Sequence, residues 1–259
     1  INADSMQVYD TLHVLTARPA AGETGGIAHH LYGTVPVGDS YSSGQWLRRA
    51  EILIDEVRGR GRIPVLVGGT GLYFKALTGG LSEMPAVPDE IRGKWRSALV
   101  EQGIGALHAQ LAVLDPKAAA MLGPADSQRI VRALEVMEAS GRSIVDLQAV
   151  AGRTIVDADR AEKLIVEPER SVLHDRINRR FAEMLDKGAI EEVEALLALD
   201  LDPALPVMKA IGVPQIAALL RGEMTRADVI ERATAATRQY AKRQMTWSRN
   251  QMDSSWRRL

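Results

Sequence analysis

Ile63-Pro-Val-Leu-Val-Gly-Gly-Thr-Gly-Leu-Tyr73 sets a compact apolar run directly before a glycine-rich turn. That is the pattern of a buried parallel strand, Ile63 to Val67, entering a tight turn. Immediately upstream, Ser42 to Arg58 carries Trp46, Ala50, Leu53, Ile54 and Val57 at helical spacing, so strand follows helix. Further back, Ile1-Asn-Ala-Asp-Ser-Met-Gln-Val-Tyr9 places Asp4 and Ser5 behind a short apolar lead and reads as the carboxyl end of another strand. In open α/β sheets ligands bind outside the carboxyl ends of strands, where a carboxylate and a hydroxyl are well placed for chemistry. The plainer alternative for Asp-Ser is a turn or a helix cap.

Downstream the texture changes. Met84-Pro-Ala-Val-Pro88 reads as a linker, and Asp89 to Gly141 is helical periodicity broken at Asp115-Pro116 and Gly123-Pro124. Lys163 to Glu167 reads as a short strand returning to the sheet, followed by a helix from Ser171 to Lys187 closed by Gly188. The division expected is 1–82 as the first part of an α/β core, 83–160 as a helical insertion and 161–259 as a return to the core with C-terminal helices. With 259 residues, 46% of them apolar, the chain can bury a sizeable core.

Composition excludes some chemistry. The chain has no cysteine, hence no disulfide framework, no Cys-ligated zinc and no thiol nucleophile. His13, His29, His30, His108 and His174 lack the spacing of a metal site. No apolar run approaches the ~20 residues that span a bilayer. A net charge of −1 hides an uneven distribution: from Arg238 to Leu259 there are six Lys or Arg residues and one acid, Asp253. Arg238, Lys242, Met245 and Arg249 share one helical face, with Tyr240 and Trp247 opposite, free to pack. Such a run is a solvated helix face or a phosphate-binding one. Arg129 and Arg132 repeat the choice at the start of a helix whose stripe is Ile130, Leu134 and Met137. On the helix from Ser171, Arg176, Arg179 and Arg180 either pair with Glu183, Glu191 or Glu192, or recognise a diphosphate through their guanidinium forks.

Four blocks occur in order: NADSMQVYDTLHVLTARP from Asn2, VGGTGLYFKAL from Val67, DSQRIVRALEVMEASGRS from Asp126 and ATRQYAKRQMTWSRNQM from Ala236. Together they cover nearly the whole chain, which resembles the tRNA dimethylallyltransferases, also called tRNA isopentenyltransferases. The resemblance implies a P-loop NTPase-like parallel sheet carrying an inserted all-helical, tRNA-binding subdomain. It implies transfer of a dimethylallyl group from dimethylallyl diphosphate to the exocyclic N6 amine of an adenosine beside the anticodon, with Mg²⁺, in the cytoplasm. Asp4 and Thr70 are implied as catalytic. The tRNA anticodon stem-loop is expected to meet Asp4, Ser5, Met6, Gln7, Thr70, Arg92, Gln128, Arg129, Ile130, Val131, Arg132, Lys242, Arg243 and Arg249; Arg180 is expected to meet the diphosphate. One departure stands out: no G-x-x-x-x-G-K-[ST] phosphate loop exists in these residues. The reading therefore expects the N-terminal phosphate-loop segment to be absent from this sequence, and residues 1–259 alone to be inactive. Val213-Pro214 also stands where many relatives carry an aromatic and a basic residue, so one tRNA contact is not expected here. A monomer is expected, since no coiled-coil heptad is visible.

Two other readings use part of the pattern. A P-loop small-molecule kinase would share the sheet and the helical insertion without needing the basic Arg238 to Arg249 face. A non-catalytic RNA-binding protein would use that face without needing Asp4 at a strand end.

Overall fold

A computed structural model describes residues 1–259. The chain divides into two compact units, Ile1–Thr78 with Val156–Leu259, and Gly79–Ile155.

The first unit begins with an extended segment. Ala3 N–H donates to the Val67 carbonyl (2.8 Å) and Val67 N–H to the Ile1 carbonyl (3.0 Å), so residues 1–3 run parallel to 65–67. A second parallel bridge joins Tyr9 and Val35. Helix α1 (Ser43–Gly59) starts at a capping box in which Ser42 and Gln45 satisfy each other's backbone N–H. Its buried residues, Trp46, Ala50 and Ile54, recur every fourth position and form one stripe. Helix α2 (Gly71–Gly79) leaves the glycine turn and brings Tyr73 onto Trp46, the rings stacked at 4.0 Å. Such a pair contributes about 1 kcal/mol beyond its buried area.

Ile63 to Val67 leads into the parallel pairing with residues 1–3. Ile63, Val65 and Val67 are 86%, 63% and 58% exposed. Side chains alternate along an extended chain, which sends these three to one face. The segment's backbone bonds go to residues 1–3.

In the second unit, α3 (Asp89–Leu114) turns at Gly103, whose φ is 78°, and ends where Asp115 caps α4 (Pro116–Met121) through the Ala118 N–H. Helix α5 (Ser127–Ser140) follows, closed by Gly141 in the left-handed conformation, and then α6 (Ile144–Gln148). Trp95, Leu107, Leu111, Ile130 and Leu134 fill its core. At the ends of this unit two glycines cross: a Cβ on Gly152 would stand 2.0 Å from the Leu81 carbonyl oxygen, so no larger residue fits.

The chain re-enters the first unit at Val156, whose N–H donates to the Leu77 carbonyl (2.9 Å). The strand expected at Lys163 to Glu167 is β1 (Leu164–Ile165). It pairs in parallel with the C-terminal β2 (Arg257–Arg258) rather than with residues 63–67. Between these strands lie α7 (Arg170–Asp186), α8 (Ala189–Leu197), α9 (Val213–Leu220) and α10 (Arg226–Gln251). Phe181, Leu185, Val193, Leu196, Ile216 and Val229 from these helices close on Leu12 and Val37, so the helical half and the Asp4 loop share one core. The fold is therefore largely helical, with short parallel pairings. No helix is long and apolar enough to cross a membrane.

Candidate active site

The site is built around a fully buried asparagine. Asn2 Nδ2 donates to the Asp4 carbonyl (2.9 Å) and the Leu31 carbonyl (3.0 Å), while its Oδ1 accepts the Asp4 N–H (2.9 Å). Trp46 Nε1 donates to the Asn2 carbonyl (2.8 Å), so α1 holds the asparagine in turn. Asp4 leaves the extended segment in a fixed direction. Its Oδ1 accepts the Met6 N–H (2.8 Å) and the Gln7 N–H (3.3 Å). Its Oδ2 accepts no hydrogen bond within the protein and lies on the Gly69 side, 3.9 Å from where a Cβ on Gly69 would stand. One carboxylate oxygen is thus an anchor and the other is available.

Thr70 closes on the same point from the glycine turn. Its N–H donates to the Ala3 carbonyl (3.1 Å), and its Oγ1 accepts the Ser5 N–H (3.0 Å), leaving the hydroxyl proton free to donate. The approach requires glycine: a Cβ on Gly68 would stand 2.1 Å from the Ala3 carbonyl carbon and 2.6 Å from the Asp4 nitrogen. From the C-terminal side, Gln244 Nε2 donates to the Gly69 carbonyl (2.9 Å).

Tyr32, Tyr73 and Tyr240 feel the Asp4 charge. Burial first, and that negative charge among the further causes, push each phenol above its ordinary range. No three His, Asp or Glu side chains come together in a cluster that could hold a metal ion.

This geometry suits proton acceptance beside a fixed hydroxyl. A family model described as IPP transferase matches residues 7–251.

The chain belongs to the IPP transferase family.

Its relatives include the tRNA dimethylallyltransferase of Agrobacterium fabrum, 63% identical over all of this chain and 87% of that protein. The tRNA dimethylallyltransferase of Rhizobium etli is 61% identical with the same coverage. Among solved structures, the tRNA isopentenylpyrophosphate transferase of Bacillus halodurans is 32% identical with a TM-score of 0.66, over 100% of this chain and 80% of that one. A eukaryotic dimethylallyltransferase acting on tRNA is 27% identical with a TM-score of 0.74, over 95% of this chain and 62% of that one.

Within this IPP transferase fold, the structure brings Asp4, Ser5 and Thr70 together as the sequence suggested. Gln7 is partly committed, its Nε2 donating to the carbonyls of Thr16 and Ala17, and Met6 packs on the core. Lys242 and Arg243 are exposed on α10 beside Trp247, around a cleft of about 340 Å³. Arg249 is 3.7 Å from Glu167. Tyr240 packs in part, standing 39% exposed with the Arg243 guanidinium over its ring at 5.5 Å. In the second unit, Gln128 is exposed, Arg92 pairs with Asp89 (3.7 Å), Arg129 with Asp126 (3.4 Å) and Arg132 with Glu135 (3.4 Å). Ile130 and Val131, expected at the RNA, are instead core residues at 0% and 8% exposure, because the apolar stripe of α5 turns inward there.

Arg180 is exposed on α7, one residue from Arg179, which pairs with Glu183 (3.8 Å). Glu192 is not a partner for these arginines. Its carboxylate accepts the backbone N–H groups of His13, Val14 and Leu15, fixing the loop after Asp4. Sequence reasoning missed Asn2, Glu192 and Gln244. Only Asn2 carried a signal, an amide inside an apolar lead two residues before the candidate base.

Proposed function

We propose that the chain prenylates tRNA by direct transfer at the Asp4 turn. Dimethylallyl diphosphate and an adenosine next to the anticodon are the substrates. The exocyclic amine is a weak nucleophile because its lone pair is delocalised into the ring. Asp4 Oδ2 accepts a hydrogen bond from that amine and then its proton, while Thr70 donates to the base and holds it in plane. The amine nitrogen forms the new bond to the allylic carbon. The carbon–oxygen bond to diphosphate breaks, and its electron pair leaves with the diphosphate. The base must be turned out of its stack to reach Asp4, as for other enzymes acting on a base.

The reading keeps a phosphate-loop type parallel core, supported by the parallel bridges Asn2–Val67 and Tyr9–Val35 with Asp4 just beyond the first. It assigns Lys242, Arg243 and Arg249, with Arg92, Gln128, Arg129 and Arg132 of the second unit, to RNA contacts. Closely spaced cations displace counterions from phosphates. Ser5, Met6 and Gln7 meet the anticodon loop beside Asp4, and Arg180 meets the diphosphate. Mg²⁺ bound with dimethylallyl diphosphate would neutralise charge on the leaving group. The reading includes action on tRNA in the cytoplasm.

The observation that carries this reading is the free Asp4 Oδ2 facing the Thr70 turn. The test is transfer of labelled dimethylallyl groups to unmodified tRNA by the natural full-length polypeptide, with ATP as control substrate. Asp4→Ala is expected to lower turnover by at least about 100-fold while tRNA still binds. An unchanged rate removes Asp4 from the mechanism, and phosphate moved from ATP to a small acceptor overturns the transferase reading.

A further inference from the structure

We infer that Gln244 is a positioning residue for Thr70, through which the docked face of α10 sets the geometry of the active-site turn. The inference rests on the transferase reading. Gly69 and Thr70 share one peptide unit. Its carbonyl accepts from Gln244 Nε2 at 2.9 Å, and its N–H donates to the Ala3 carbonyl at 3.1 Å. The plane that carries Thr70 is therefore clamped at both ends, once by the Asp4 segment and once by α10. Thr70 Oγ1 is tied to Ser5 N–H, so tilting this peptide also moves the hydroxyl relative to Asp4. A Cβ on Gly69 would stand 2.2 Å from Gln244 Nε2 and 3.9 Å from Asp4 Oδ2, so the amide, the turn and the base meet around one small space.

Gln244 belongs to a docked face of the helix. Trp247 lies against Gly71, where a Cβ would stand 2.2 Å from its ring, and Gln251 Oε1 accepts from Lys75 Nζ at 2.7 Å. Residues 244, 247 and 251 are spaced i, i+3 and i+7 and so share one side. Arg238, Lys242 and Arg249 occupy the opposite side. Gln244 is thus turned toward the turn and away from the cationic surface, and an uncharged amide adds nothing to phosphate attraction. Its role is to hold a carbonyl still, and a small displacement of a catalytic group is enough to lower the rate.

The experiment is a double-mutant cycle in the natural full-length polypeptide, with kcat, tRNA Kd and melting temperature measured for each variant. Gln244→Ala is expected to lower kcat about tenfold with tRNA Kd changed less than about twofold. In a Thr70→Ala background the same substitution is expected to lower kcat by less than about twofold, because the group it positions is gone. Gln244→Glu keeps the shape but loses the donor and is expected to be as slow as the alanine variant. A tenfold loss persisting in the Thr70→Ala background overturns the inference. So does an unchanged kcat, a weakened tRNA Kd with kcat intact, or full activity in Gln244→Glu. Absence of transfer by the unsubstituted protein would instead defeat the transferase reading.

Discussion

Asn2 grips Asp4 at both ends of the residue, its amide oxygen taking the Asp4 N–H and its amide nitrogen donating to the Asp4 carbonyl, each at 2.9 Å. The candidate base is therefore held by a side chain that never reaches the substrate. Asn2 is fully buried, and the Trp46 indole and the Leu31 carbonyl hold it in turn.

Removing that clamp leaves buried backbone groups without partners. Asn2→Ala is expected to destabilise the fold by about 3 kcal/mol, read as a lower denaturant midpoint with an unchanged slope. Turnover should fall with it even where the protein remains folded. Full activity in a folded Asn2→Ala variant would show that Asp4 does not depend on the clamp.

The loop after Asp4 hangs on one distant carboxylate. Glu192→Ala deprives the amides of His13, Val14 and Leu15 of their acceptor, at an expected cost of about 3 kcal/mol. Hydrogen exchange should show those three amides losing protection ahead of the helical core. Protection equal to that of the unsubstituted protein would mean that the carboxylate is not what holds the loop.

Salt dependence should separate the cations of α10. Lys242→Ala is expected to reduce the slope of log affinity for tRNA against log salt by about 1. Arg249→Ala should reduce it less, since Glu167 already lies 3.7 Å from that guanidinium. Equal slopes for both variants and the unsubstituted protein would remove this helix from the RNA surface.

Alkaline pH should unfold the protein through its phenols. Burial raises the pKa of all five tyrosines above the ordinary 10.0, and Tyr9 and Tyr73 are only 1% and 2% exposed. The folded state keeps its protons where the unfolded state releases them. Their contribution is intact below pH 10 and is lost as pH rises through the folded values. Tyrosinate absorbance should therefore appear together with loss of circular dichroism above pH 10. Smooth ionisation of all five at ordinary pKa in a folded protein would contradict the burial.

The sequence by itself determined the local elements and the chemistry. Trp46, Ala50 and Ile54 mark one face of α1 because helical periodicity is local, and Asp115-Pro116 and Gly141 end helices for reasons contained in their own backbones. Asp4 stood out as a carboxylate behind a short apolar lead, with a turn as its plainer reading, and the resemblance to the tRNA dimethylallyltransferases singled out Thr70. Tertiary structure alone decided what those residues meet. Val67 pairs with Asn2 in parallel, a partner that a run of five residues does not encode. Ile130 and Val131 sit in a basic block yet belong to the core, since only packing selects which side of α5 turns inward. The partners of Glu192 and Gln244 are more than 170 residues away, and no periodicity connects a side chain to a backbone group so distant. Those long-range hydrogen bonds, made when the two ends of the chain close on each other, turn a carboxylate and a threonine into a site.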